Sequence, residues 1–220
     1  MSNMKRLIRE EDIRKAAGYI RRIFTDKNTI ITPAARDLAK ELGVQFEYNP
    51  KAVQASSPQK TNRQVLDEVF PVKVVAIASD HGGFAMKREL IPYLRKLGYI
   101  THDLGPDSDK ACDYPDYALL LAERLAEGKV DRGIMIDSVG IGSAMAANKV
   151  KGVLAAKCNN AYEARSAREH NYANYLTFGA KMIGIEIARD IVKTFLETKG
   201  GAERHQKRVK KILNYDEKKH

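Results

Sequence analysis

The chain has 220 residues, of which 44% are hydrophobic and 30% are charged, and its formal net charge is +10. This composition suits a globular protein with one ordinary domain and an extension, or two small domains, and no apolar run or N-terminal signal predicts membrane insertion or secretion. Residues 1–60 carry +5 and residues 203–220 carry +4, so the body is nearly neutral, which argues against a nucleic-acid partner. Cys112 and Cys158 form neither a disulfide framework nor a zinc motif, which predicts a cytoplasmic protein.

Residues 1–48 are predicted to form a small, mainly helical module. The acidic residues Glu10 to Asp12 suit the first turn of a helix, and apolar residues follow them at helical spacing. A short strand is predicted over 28–31. Thr32 and the proline after it have the order of an N-cap and a first helical residue, which predicts a second helix through Leu42. Because these residues include no set of catalytic groups, we interpret the segment as a docking or packing element.

Residues 49–71 contain prolines and serines without a long apolar stretch, which predicts a linker before a main domain over 72–220. In that domain strands and helices alternate five times. The predicted strands are 73–79, 99–104, 133–136, 153–157 and 174–178. Because these strands are apolar on both faces, they predict an α/β fold in which a five-stranded parallel sheet lies between two layers of helices, a Rossmann-like three-layer sandwich. Such folds bind ligands at the carboxyl ends of the strands.

Chemically useful residues follow the first and third predicted strands. Asp80 and His81 precede two glycines at a helix start, where an acid–base pair and a simple helix cap are both reasonable interpretations. Asp137 precedes Gly140 and Gly142, whose loop could present backbone N–H groups to an anion or an oxyanion. Asp137 is therefore either a general base or a helix cap. The glycine spacing matches neither a dinucleotide fingerprint nor a P-loop.

Two further groups are predicted to complete a site at the same end of the sheet. His170 precedes the fifth strand and is expected near the rim that carries Asp80. Arg204 and Arg208 stand four residues apart, so on a helix they would share one face and suit a phosphate; a solvated basic helix is the alternative. Together these groups suit acid–base chemistry on a phosphorylated small molecule.

The main domain resembles a known family, the type B ribose-5-phosphate isomerases and the subunits of galactose-6-phosphate isomerase. The matching motifs are SDHGGFAMK (79–87), DYPDYA (113–118), GIGSAMAANKVKG (140–152), REHNYAN (168–174), FGAKMIG (178–184) and RHQKRV (204–209). The resemblance implies aldose–ketose isomerisation of a sugar phosphate, with ribose 5-phosphate and ribulose 5-phosphate of the pentose phosphate pathway as the first expectation. It also implies a homodimer, or a dimer of dimers, whose subunits share active sites.

The resemblance further implies roles for the residues at matching positions. Asp80 and His81 would lie in the active site, and His170 would help to open the sugar ring. The residues expected to contact the substrate are Tyr114, Ser138, Gly140, Ile141, Gly142, Ser143 and Asn171. The residues expected to bind the phosphate, some of them from a second subunit, are His81, Lys181, Arg204 and Arg208. Lys181 stands where many members have Arg, and lysine lacks the bidentate fork of arginine.

One stretch departs from the family pattern. Many members have Cys-Gly-Thr-Gly-x-Gly after the third strand, with the Cys as the base, whereas this chain has Asp137 at the Cys position and Val139 at the Thr position. Another branch uses a Glu at the position of Ser143. Two hypotheses follow. Either Asp137 is the base, with the enediolate held by backbone N–H groups near Gly140 and Gly142 and with no metal or organic cofactor, or the chain is a non-catalytic sugar-phosphate-binding protein or a subunit completed by another chain.

Residues 1–48 are similar to short N-terminal modules of enzymes that are encapsulated in bacterial microcompartments. The similarity covers the stretches LIREEDIRKAA and IITPAARDLAKELGV. It implies a shell or cargo partner for this module and a location inside a microcompartment. A helical extension that packs on its own domain or stabilises an oligomer is the alternative interpretation.

Overall fold

The protein is described by a computed structural model that covers residues 6–17, 22–25, 27–48 and 71–215. The chain divides into two compact units, Met1–Pro58 and Gln59–His220. The linker predicted over 49–71 lies outside the described residues, except for its last residue.

The N-terminal unit contains two successive β–α–β segments. Its elements are β1 (Arg6–Ile8), α1 (Glu10–Ala17), β2 (Arg22–Thr25), β3 (Thr29–Ile31), α2 (Pro33–Glu41) and β4 (Gln45–Tyr48). β1 pairs in parallel with β3, and β2 with β4, and both ladders join residues 23 positions apart. The constant offset shows that the two β–α–β segments are structural repeats of each other. The sequence conceals the repeat because, between the two halves in this register, only Ile8 matches Ile31 and Ala16 matches Ala39.

Both predicted helices of this unit are present, and the predicted N-cap is confirmed. The hydroxyl of Thr32 accepts the backbone N–H of Ala35 at 3.2 Å, and proline occupies the first helical position. The core of the unit is formed by Ile8, Ile13, Ile23, Ala35, Ala39 and Val44. Of the four strands, the sequence predicts only β3, because strands of three or four residues are too short for a clear apolar alternation.

The main unit is a five-stranded parallel sheet with helices on both faces, which confirms the predicted α/β class. Its strands are β5 (Val74–Ser79), β6 (Ile100–Asp103), β7 (Arg132–Asp137), β8 (Ala155–Lys157) and β9 (Tyr175–Gly179). Its helices are α3 (Phe84–Lys96), α4 (Tyr114–Ala126), α5 (Ile141–Ala147), α6 (Ala161–Asn171), α7 (Ile185–Glu197) and α8 (Glu203–Leu213). The strand order is β6-β5-β7-β9-β8.

The apolar strand sequences are explained by two cores, one on each face of the sheet. Along β5, Val75 and Ile77 face a core shared with α3, α6 and α7, whereas Ala76 and Ala78 face a core shared with α4 and α5. Since successive side chains of a strand point to opposite faces, both sets must be apolar when both faces are covered. None of the helices in the described ranges is long and apolar enough to cross a bilayer.

The strand order places a topological switch between β5 and β7. From β5 the chain first moves outward to β6 and then returns to β7 on the other side. At such a switch the loops that follow the two strands diverge and leave a crevice at their carboxyl ends, which is where open α/β sheets bind ligands. We call this side of the main unit the carboxyl end of the sheet and the opposite side its amino end.

Candidate active site

The loops after β5 and β7 are joined directly at the switch point. The backbone N–H of Asp80 donates to the carbonyl of Ile136 at 3.0 Å. A Cβ at Gly83 would collide with the same carbonyl, so the close approach of these loops requires glycine there. Asp80 is 6% exposed, and its carboxylate accepts the N–H of Gly83 at 2.9 Å. Asp80 thus stabilises the start of α3 and also lies where a ligand would bind.

The side chain of His81 is exposed at the same end of the sheet and is anchored through one ring nitrogen. Its Nδ1 lies 3.2 Å from the carbonyl oxygen and 3.3 Å from the amide nitrogen of Cys112. The backbone before α4 therefore holds the ring in place. This arrangement leaves Nε2 as the ring nitrogen available to a ligand.

Tyr114 packs over the glycine loop that follows β7. A Cβ at Gly142 would lie 2.7 Å from the Tyr114 hydroxyl, so the tyrosine can approach this closely only because the loop residue is glycine. The Tyr114 side chain is 39% exposed, as expected for a residue that borders a crevice. Two residues expected to contact the substrate are thus adjacent in space.

The carboxylate of Asp137 is turned into its own loop. It is 5% exposed. Oδ1 accepts the N–H groups of Val139, at 2.8 Å, and of Gly140, while Oδ2 accepts the Ser143 hydroxyl at 2.5 Å and the Ser143 N–H at 3.3 Å. A carboxylate offers about four lone-pair positions, so these donors engage all of them. The Gly140 N–H, which the sequence assigns to the enediolate, is donated to Asp137 in this structure.

The loop requires glycine at position 140 for a structural reason. Its φ is +88°, in the left-handed region, and a Cβ there would lie 2.8 Å from the Cα of Phe178. Glycine is therefore required by both the backbone conformation and the neighbouring strand. The sharp turn that it allows directs three N–H groups toward Asp137.

The loop after β9 adds a basic residue at the same end of the sheet. The backbone N–H of Lys181 donates to the carbonyl of Ser138 at 3.2 Å. Lys181 is exposed, and Val139 and Ile141 beside it on the neighbouring loop are 40% and 50% exposed. The carboxyl end therefore combines a cation with apolar side chains.

A second group of predicted residues surrounds a pair of imidazoles. The rings of His170 and His205 stack with centroids 4.5 Å apart and an interplanar angle of 30°. Nδ1 of His170 lies 3.2 Å from the Ser166 hydroxyl. Desolvation lowers the pKa of His205, and the charges of His170, Arg204 and Arg208 lower it further. The predicted phosphate-binding arginines are thus close to the predicted ring-opening histidine.

This second group lies at the amino end of the sheet. The prediction that all the site residues of one chain lie at the same end of the sheet is therefore wrong. α6 starts after β8 and ends just before β9, which puts His170 and Asn171 at the amino end. α8 packs on α6, and its Val209 contacts Leu154 and Tyr172, which precede β8 and β9. Five residues of β9 span about 16 Å. In a parallel sheet, the residues that precede a strand and the residues that follow a strand lie at opposite ends of the sheet. His170 precedes β9 and therefore lies at the end opposite to the predicted one.

Three supporting contacts were not apparent from the sequence. Lys87 is completely buried, pairs with Asp103 at 2.6 Å and donates to the carbonyl of Pro106 at 2.8 Å, which holds the loop after β6 beside β5. The backbone of Cys112 anchors His81, and His205 stacks on His170. Of the three supporting residues, Lys87 and His205 fall inside the motifs and Cys112 does not, and their residue types alone do not indicate their partners.

Neither cysteine replaces the base that the family pattern has at the position of Asp137. Both cysteines are free. Burial, followed by the charge of Glu163, raises the pKa of the Cys158 thiol to about 12, and burial also raises the pKa of Cys112. Both are therefore thiols at neutral pH, and the thiolate is the basic form. Among the described residues, no group of three or more His, Cys, Asp or Glu side chains has the arrangement of a metal site.

Comparison with known proteins now identifies the family. The model of the family described as Ribose/Galactose Isomerase matches residues 75–212. The chain belongs to this family of sugar-phosphate isomerases. Ribose-5-phosphate isomerase B of Escherichia coli (strain K12) is 38% identical to it over 147 residues, which are 67% of this chain and 99% of the relative.

Solved structures of relatives match the main unit closely. Ribose-5-phosphate isomerase B of Clostridium thermocellum has a TM-score of 0.66 and 44% identity, over 67% of this chain and 99% of that chain. The ribose-5-phosphate isomerase B of Mycoplasma genitalium, solved with bound ribulose-5-phosphate, has a TM-score of 0.63 and 38% identity, over 66% of this chain and 96% of that chain.

Proposed function

We propose that this isomerase interconverts ribose 5-phosphate and ribulose 5-phosphate. The observation that carries the proposal is the meeting of Asp80, His81, Tyr114 and Asp137 at the carboxyl end of the sheet, on a fold whose relative from Mycoplasma genitalium holds ribulose-5-phosphate. These side chains provide carboxylate, imidazole and phenol groups at a switch point. That combination suits proton transfer on a small polar molecule.

The reaction moves protons and needs no external electron donor or acceptor. A base removes the proton from C2 of the open-chain aldose. The C–H electron pair then forms the C1–C2 double bond, and the carbonyl electrons move to O1. The protonated base then delivers a proton to C1, either the abstracted one or one that has exchanged with solvent, and the proton on O2 passes to O1, which yields the ketose. We assign the base to Asp137, and the opening of the sugar ring to His170.

The proposed active site is shared between two copies of the chain. His81 and Lys181 lie at the carboxyl end of the sheet, whereas His170, Arg204 and Arg208 belong to the amino end. One copy therefore lacks half of the expected set at either end. A homodimer, or a dimer of dimers, in which the amino end of one copy faces the carboxyl end of the other would bring the two halves together.

The experiment that tests this function is an isomerisation assay in deuterated water. We expect the purified full-length chain to convert ribose 5-phosphate to ribulose 5-phosphate and to incorporate deuterium at the exchanging carbon, as followed by NMR. Both signals are required, because deuterium reports proton transfer and the ketose reports completed turnover. Galactose 6-phosphate is the comparison substrate. Ketose formed from the galactose sugar and not from the ribose sugar would contradict the proposed substrate.

A sugar-phosphate-binding protein without turnover is the second candidate. It is favoured by one observation, namely that the hydrogen-bond donors around Asp137 already engage its lone pairs. This candidate predicts that ribose 5-phosphate raises the Tm of the protein in a thermal unfolding measurement. In the isomerisation assay it predicts neither ketose nor deuterium exchange.

For the N-terminal unit we propose docking on a protein partner inside a microcompartment. Leu7 and Ile30 are opposite each other in the β1–β3 ladder and are 43% and 46% exposed, so they form an outward apolar pair. We expect a full-length chain with a C-terminal fluorescent reporter to form puncta in a host that assembles compartments. A variant with Leu7→Asp and Ile30→Asp is expected to be diffuse. Diffuse fluorescence of the unmodified chain would contradict the proposal.

A further inference from the structure

Ser143 makes a short side-chain hydrogen bond in the candidate site. Its hydroxyl donates to Asp137 Oδ2 at 2.5 Å, and the whole residue is buried with 0% exposure. The other donors to this carboxylate are the backbone N–H groups of Val139, Gly140 and Ser143 itself. Ser143 therefore supplies the one described donor that can turn without moving the backbone.

The two oxygens of the carboxylate are consequently not equivalent. Oδ1 is held by the two N–H groups of Val139 and Gly140, which the turn of the loop fixes in place. Oδ2 has the Ser143 hydroxyl and a longer contact to the Ser143 N–H, at 3.3 Å. Because a hydroxyl rotates about its C–O bond, Oδ2 is the oxygen that can be released to take a proton.

We propose that Ser143 is a positioning residue for proton transfer by Asp137. Between turnovers its hydroxyl stabilises the carboxylate and holds Oδ2 in one orientation. When Oδ2 takes the proton from C2, the hydroxyl turns away, and it donates again once the proton has passed to C1. The proposal rests on the proposed function, in which Asp137 is the base. Because Ser143 is completely buried, it acts through Asp137 without touching the substrate.

A second buried hydroxyl offers a matched control. Thr177 lies in β9, is 0% exposed, and donates to the carbonyl of Gly140 at 2.7 Å. It supports the same loop as Ser143, but it bonds to the backbone and not to the Asp137 carboxylate. A purely structural role of Ser143 would make Ser143→Ala and Thr177→Val behave alike.

The test compares full-length wild type, Ser143→Ala, Ser143→Cys and Thr177→Val by two readouts. One is the pH profile of kcat for ribose 5-phosphate. The other is a carbon-13 NMR titration of aspartate carboxyl groups, in which the Asp137 signal is identified by its loss in Asp137→Asn. Cysteine keeps nearly the shape of serine with a weak donor, so it provides a folded variant if alanine destabilises the loop.

We expect Ser143→Ala to move the Asp137 titration midpoint and the acid limb of kcat upward together by about one pH unit, a tenfold change in protonation, because a donor to the charged form is lost. Ser143→Cys should give a smaller shift in the same direction. Thr177→Val should lower Tm without moving either midpoint. A Ser143→Ala or Ser143→Cys variant that folds and leaves both midpoints unmoved would overturn the proposal.

The two readouts separate this proposal from the proposed function. If wild type does not isomerise ribose 5-phosphate, the proposed function fails, while the titration still decides whether Ser143 holds the carboxylate. If wild type turns over and the Ser143 variants keep the wild-type midpoints, the positioning role fails and the proposed function stands.

Discussion

Replacing Asp137 with Asn is expected to lower kcat for ribose 5-phosphate by about 10³-fold, within the range for loss of a general base. The amide has nearly the same shape as the carboxylate. Its oxygen can accept the N–H groups of Val139 and Gly140, and its NH₂ group can donate to the Ser143 hydroxyl, which is also an acceptor, so that only the long contact from the Ser143 N–H is lost. The loop should therefore remain folded while the group that accepts the proton is lost.

The measurements are steady-state kinetics, deuterium exchange at C2 and thermal unfolding of the purified variants. We expect KM to change little, because Asp137 is 5% exposed and contributes little surface to substrate binding. Asp137→Cys is the informative comparison, since the resemblance places a cysteine base at this position, and it should recover part of the activity. Unchanged turnover in Asp137→Asn would remove Asp137 from the chemistry.

Mixing two inactive variants is expected to restore activity. One variant is Asp137→Asn, which alters the carboxyl end of the sheet, and the other combines Arg204→Ala with Arg208→Ala, which alters the amino end. In a symmetric dimer with shared sites, each mixed dimer has one intact site and one doubly altered site. Random exchange makes half of the dimers mixed, so activity should recover to about a quarter of wild type.

A matched control uses two variants at the same end of the sheet. Asp137→Asn mixed with His81→Asn should recover nothing, because every site in the mixed dimer then contains one altered residue. Exchange is checked by separating differently tagged chains before the assay. If mixed dimers form in the first experiment but activity does not recover, the shared site is contradicted. His170, Arg204 and Arg208 would then act only within their own chain.

Much of the main unit could be predicted because its determinants are local. A continuous apolar run predicted β5, the alternation of short strands with helices predicted the other four strands, and the glycines after β5 and β7 predicted the turns there. The apolar residues of α4 predict a helix over 117–126, whereas the helix begins at Tyr114, because Asp113 at the N-cap position and a proline near the start mark the beginning. The strands β1, β2 and β4 were not predicted, since their pairing partners are 23 residues away and each is only three or four residues long.

The site was predictable as a set of residue types but not as an arrangement. Asp80, Tyr114 and Asp137 follow strands or open helices, so their place at the carboxyl end follows from the α/β pattern. His170 was expected at that same end because it lies close to a strand in sequence. A residue close to a strand in sequence can lie at either end of that strand. The last turn of α6, which contains His170, lies at the amino end of the sheet.

The amino-acid sequence by itself determined the α/β class, the order of the elements in the main unit and the residues available for chemistry, since these follow from apolar periodicity, glycine turns and motif spacing. Only the tertiary structure decided that the Asp137 carboxylate is bound by its own loop and that the His170 cluster lies at the opposite end of the sheet. The physical reason is that hydrogen-bond donors are aimed by backbone turns, and the ends of a sheet are assigned by the direction of each crossover. Neither the direction of the donors nor the assignment of the ends of the sheet can be read from residue spacing along the chain.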